Sequence, residues 1–210
     1  QRFIMTFTIL LLIAVIIVAL AFEYINGFHD CANSIASIVS TKVLSPRQAV
    51  LFGAVLECIG ALLGVNVAKT IGAGIIASDA ITLQVIFCAL LAAVIWNLIT
   101  WWFGLPSSSS HALIGGLLGA TFIHAGLNPI HFVVLVEKII IPMFASPVIG
   151  FVIGFMVMCA FLRLFYKIKP DVINRRFKKI QLITSGLMAL SHGLNDAQKT
   201  MGVITMALVT

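Results

Sequence analysis

Two short stretches hold most of the chemistry open to this chain. The first, Asn26-Gly27-Phe28-His29-Asp30-Cys31-Ala32-Asn33-Ser34, puts a carboxylate, an imidazole and amides directly after a long apolar run. The second, Ser191-His192-Gly193-Leu194-Asn195-Asp196-Ala197-Gln198-Lys199-Thr200-Met201-Gly202, repeats the pattern. With Gly27 laid on Gly193, Asp30 falls on Asp196, His29 on Asn195 and Asn33 on Lys199. A charge at bilayer depth is costly, is retained for function and faces a protein cavity. Paired Gly-interrupted segments in two halves of a chain point to the binding site of a secondary transporter, so breaks are expected at Gly27 and Gly193. An Asp with an Asn three residues on shares one helix face and offers hard oxygens to a cation, or acceptors to a substrate that carries a proton. His29 and His192 read equally well as packing residues or site members.

A third stretch, Gly104-Leu105-Pro106-Ser107-Ser108-Ser109-Ser110-His111, leads into a helical pattern. Pro fixes the approach and the serines cap the helix. Inside a membrane, unpaired N–H groups, the positive end of the helix dipole and hydroxyl donors form an anion site. Glu57 is a further intramembrane acid, with structural and functional readings evenly placed. Lys199, standing where the first motif has Asn33, can itself supply the positive charge of a bound cation, which points to proton coupling in that half.

Those residues need a scaffold. Of 210 residues, 61% are hydrophobic and 10% charged, with mean hydropathy +1.15. A soluble domain carries roughly a quarter charged residues, so this is an integral membrane protein. The apolar runs are too long for barrel strands, and the class is all-α. The length allows about seven to nine crossings, fewer with re-entrant segments. Crossings are expected over 3–22, 48–68, 80–103 and 142–162, with a short polar segment over 27–41 and an interfacial stretch over 69–79. A re-entrant hairpin is expected near 104–141, and the membrane is met again from 180. The glycine pairs Gly60/Gly64, Gly115/Gly119 and Gly150/Gly154 suit close helix packing.

Seven of the thirteen Lys and Arg residues lie in 163–179, where Asp171 is the lone acid. This is a basic loop, cytoplasmic by the positive-inside rule, and no nucleic-acid surface. Cys31, Cys58, Cys88 and Cys159 show no metal-ligand or CxxC spacing and read as small buried hydrophobes. The N-terminal apolar run exceeds a signal-peptide core, and Glu23-Tyr24 stands in place of a small-residue cleavage site.

The three motifs, in this order and spacing, resemble the signatures of the inorganic phosphate transporter family. The resemblance implies an inverted-repeat helical bundle with discontinuous, re-entrant helices, carrying phosphate in symport with sodium or protons. It implies no cofactor, and partners that are phosphate and the lipid bilayer, with a homodimer compatible. It assigns Asp30, Asn33 and Asp196 to phosphate and the coupling cation, sodium included. Ser108, Ser109 and Ser110 go to phosphate as hairpin hydroxyls. The residues themselves, apart from the resemblance, add Lys199 beside the substrate through the motif alignment and Glu57 beside the cation as an intramembrane acid. The resemblance divides the chain into a first repeat (1–162), a basic cytoplasmic linker (163–180) and the opening of a second, truncated repeat (181–210). Sulfate is the alternative substrate, but phosphate keeps a proton at neutral pH and can donate to Asp, whereas sulfate is repelled. An intramembrane hydrolase, with a nucleophile among Ser107–Ser110 and His111 or His192 as base, lacks the Gly-x-Ser-x-Gly elbow or a metal-ligand helix.

Overall fold

The computed structural model describes residues 2–63 and 74–210. Helix α1 spans Arg2–Ser40, α2 Pro46–Leu62, α3 Leu83–Trp102, α4 Ser109–Ala125, α5 Phe132–Phe165 and α6 Pro170–Val209. A 3₁₀ turn at Ser78–Ala80 precedes α3. An isolated antiparallel bridge between Ile76 and Ile130 ties that approach to the turn after α4. By length and composition α1, α3 and α5 can each cross a membrane.

The six helices among the described residues are fewer than the crossings the length allows, because α1 and α6 consume 39 and 40 residues. Both run unbroken through the glycines where interruption was expected. Neither Gly27 nor Gly193 adopts positive φ. The polar side chains beside them are satisfied by neighbouring helices, so the backbone need not open. The expected basic loop is also mostly helical: α5 carries Arg163, α6 starts at Pro170, and four residues join them. Pro142, expected to begin a new helix, lies within α5. A π turn over Val136–Ile140 precedes it, which accommodates a proline that cannot donate to the preceding turn. The end of the 48–68 crossing, residues 69–73 of the 69–79 stretch and Gly64 lie outside the described residues.

The core is built where α1, α3, α4 and α6 meet, with Phe22, Ile86, Leu90, Leu113 and Val203 fully or almost fully buried. α2 packs on α6 and α3 on α4. The 104–141 region does not fold back as a closed hairpin: α4 lies along α3, and α5 buries no residue in the rest of the chain.

Small residues set the spacing, but not all the expected ones. A Cβ on Gly60 would lie 2.1 Å from the Leu190 carbonyl oxygen, and one on Gly193 would lie 2.0 Å from that of Glu57. Gly116 meets Ala89 in the same way, while Gly115, Gly119, Gly150 and Gly154 face open space. The four cysteines are free, yet none is buried, and Cys58 and Cys88 are exposed. Cys58 lines a cavity between α1, α2 and α6, and Cys88 lines a groove between α3 and α4.

Candidate functional site

The close α2–α6 crossing at Gly60 and Gly193 brings Glu57 against the second acidic motif. His192 bridges the two helices, its Nδ1 lying 3.2 Å from Glu57 Oε1 and its Nε2 3.0 Å from Asp196 Oδ2. Both ring nitrogens face carboxylate oxygens, so the bridge needs a proton on each nitrogen or on one of the acids. Asp196 is buried. Its Oδ1 accepts from the Lys199 ammonium one turn along α6, and its Oδ2 from Asn26 Nδ2 at 3.3 Å.

Asn26 is the junction with the serine motif. It is 1% exposed, and its amide oxygen accepts from the Ser109 hydroxyl, which also lies 3.5 Å from Asp30 Oδ2. Asp30 is in turn 3.3 Å from His29 Nδ1. Ser34 donates to Glu57 at 3.2 Å, and Thr200 donates to Glu23. Glu23, Glu57, Asp196 and His192 line a cavity of about 190 Å³ between α1, α2 and α6. Potential ligand atoms of Asp30, His192 and Asp196 lie within 4.8 Å of one another.

Ser108 caps α4 as the sequence predicts, accepting from the His111 N–H at 3.4 Å and lying 2.8 Å from His111 Nδ1. The four serines nevertheless diverge. Only Ser109 reaches the acidic cluster. Ser107 accepts from Trp96 Nε1 at 3.2 Å, and with Ser108 lines a separate groove of about 1030 Å³ between α3 and α4. Ser110 is partly buried and makes no side-chain hydrogen bond among the described residues.

The structure thus brings together Asp30, Glu57, Ser109, Asp196 and Lys199. It leaves Asn33 outside: that side chain is exposed and makes no side-chain hydrogen bond among the described residues. Asn33 lies two turns beyond Asn26 on the same face of α1, at a level where that face is uncovered. Sequence reasoning passed over Asn26, Glu23 and Thr200 and gave His192 too little weight. The signal for Asn26 was present in the i, i+4 spacing to Asp30, which puts the amide on the carboxylate's face.

Long apolar helices around a buried acidic cluster, with a capped helix start beside it, define a multi-pass membrane protein with a polar site inside its bundle. Residues 26–210 match the family described as the phosphate transporter family. The chain belongs to that family. It is 46% identical to the "Probable low-affinity inorganic phosphate transporter" of Bacillus subtilis, over 98% of this chain and 62% of that protein. It is 45% identical to a protein of the same name from Streptomyces halstedii, over 88% of this chain and 86% of the relative. The solved structure named "The sodium-dependent phosphate transporter" shares the fold, with a TM-score of 0.78, 22% identity, and coverage of 95% of this chain and 68% of that one. The chain spans about three fifths of the Bacillus relative.

Proposed function

We propose that this chain forms part of a secondary transporter that carries inorganic phosphate in symport with a cation. The observation that carries the reading is the Ser109–Asn26–Asp196 chain of hydrogen bonds. It joins an anion-binding helix start to a carboxylate cluster that needs a cation or proton before an anion can approach. The names of the relatives support phosphate as the substrate. Ser109, Asp30, Asp196 and Lys199 form the centre of the proposed site, with Ser108 and Ser110 at its edge. Asn33 contributes only if α1 is covered further along its length.

The donor count at Asp196 bears on the cation. Lys199, Asn26 and His192 already occupy its oxygens, so the second motif fits a bare sodium ion poorly. In our reading Lys199 supplies the positive charge there, and a proton couples this half. The repeat division at 1–162, 163–180 and 181–210 goes with this reading, since Asp30 and Asp196 then play paired roles. The hydrolase alternative gains little support, because the Ser108–His111 contact is a local cap with no acid on His111 among the described residues.

The test is counterflow of labelled phosphate in liposomes made with the full-length protein, competed by sulfate and arsenate. Wild type should accumulate label, arsenate should compete and sulfate should not. Asp30→Asn, which keeps the shape and removes the charge, should insert normally and accumulate none. Unchanged accumulation by Asp30→Asn at equal expression would return Asp30 to a structural role.

A further inference from the structure

Nine of the thirteen Lys and Arg residues gather at one end of the bundle: the seven in 163–179, with Lys42 and Arg47 in and just after the α1–α2 turn. Two contacts put these segments side by side. Thr41 donates to Gln181 Oε1 at 2.9 Å, and the Ser37 and Ser185 hydroxyls meet at 3.0 Å. All nine cations are exposed, and among the described residues none forms an ion pair. The local acid is Asp171 alone.

The corner between α5 and α6 has a fixed shape. Phe177 packs edge-on against Phe161 and Phe165, with ring centroids 5.6 and 5.3 Å away. Ile173 and Phe177, one turn apart, are partly covered, while Arg175, Arg176, Lys178 and Lys179 point outward. α5 is long and apolar enough to cross a membrane, and none of its residues is buried among the described residues. Its end at Phe165, followed by Tyr166, therefore marks headgroup depth. Unneutralised cations on long stems at that depth attract anionic lipid.

We propose that this basic rim is a docking surface for the anionic headgroups of membrane phospholipids. Arg175, Arg176, Lys178 and Lys179 lie on one helix whose side chains step round by about 100° per residue, so they fan out, which suits several headgroups and not a single small anion. The rim is separate from the acidic cavity, so the inference stands whether or not phosphate is the transported substrate.

The experiment reconstitutes the purified protein in nanodiscs of equal phosphatidylcholine and phosphatidylglycerol, releases it in mild detergent, and counts retained lipids by native mass spectrometry. Wild type should retain phosphatidylglycerol with several-fold enrichment, and salt should weaken that enrichment. The variant Arg175→Gln/Arg176→Gln/Lys178→Gln/Lys179→Gln should lose most of it. Arg175→Lys/Arg176→Lys, which keeps the charge, should hold it and controls for folding. Equal retention of both lipids by wild type would overturn the proposal, as would undiminished enrichment in the glutamine variant. Displacement of the lipid by inorganic phosphate at constant ionic strength would also overturn it, assigning the rim to a free anion.

Discussion

Asn26 on α1 donates a 3.3 Å hydrogen bond to Asp196 on α6, linking side chains 170 residues apart. The same amide accepts from Ser109, so one neutral side chain joins three helices. The amide does both, whereas a carboxylate cannot donate and a methyl can do neither. Asn26→Ala should strand a buried carboxylate oxygen and a hydroxyl, costing about 1–3 kcal/mol. Asn26→Asp should be worse, since it adds a third acid beside Asp30 and Asp196. Thermal unfolding in detergent should rank wild type above Asn26→Ala above Asn26→Asp, and phosphate uptake should fall in the same order. An Asp variant as stable as wild type would remove Asn26 from the junction.

Gly193 makes a sharper steric prediction. With the Glu57 carbonyl 2.0 Å from where its Cβ would stand, Gly193→Ala must push α2 away from α6. That should destabilise the protein by about 1–3 kcal/mol. It should also lengthen the His192 contacts to Glu57 and Asp196, so uptake should fall with stability. Gly115, with nothing near its Cβ position, is the contrast: Gly115→Ala should be neutral or stabilising by up to about 1 kcal/mol. Thermal midpoints of the two variants decide the matter.

Much of the site was legible because intramembrane charge is conspicuous. Asp30, Asp196 and Glu57 stand out in an apolar sequence, whereas Ser109 came only from the family resemblance, the capping role falling to Ser108. The matched spacing of the motifs also anticipated that the two acids would meet. What local pattern could not supply was which faces become covered. Asn33 and Asn26 share a face of α1, yet only the level of Asn26 is enclosed. Glu23 and Thr200 pair only because α1 and α6 run side by side. The expected breaks at Gly27 and Gly193 failed for a related reason. A polar cluster satisfied across helices lets the backbone continue, and Gly193 serves close approach instead of a bend.

The topology is open to direct labelling. The basic rim should face the cytoplasm, since Lys and Arg near membrane ends set orientation. Asn174 is exposed on the first turns of α6, so Asn174→Cys offers a reachable thiol. In a background with the four native cysteines replaced, an impermeant maleimide should label it only after the cell is opened. Labelling of intact cells would reverse the orientation and place the rim on the outer leaflet.

Lys199 decides how the second motif obtains its positive charge. Its ammonium is bonded to Asp196 from one turn away, at the position that matches Asn33 of the first motif. With that ammonium in place, a sodium ion would have to displace a charge-assisted hydrogen bond to gain a ligand. Uptake should therefore run on an imposed pH gradient without sodium. Lys199→Asn would remove the resident cation and return an amide oxygen, recreating the Asp-x-x-Asn pattern of the first motif. That variant should lose pH-driven uptake and require sodium. Lys199→Met, which removes the charge without giving a ligand, should be inactive with either gradient. Strict sodium dependence in the full-length wild type would show that Lys199 is only a structural partner of Asp196.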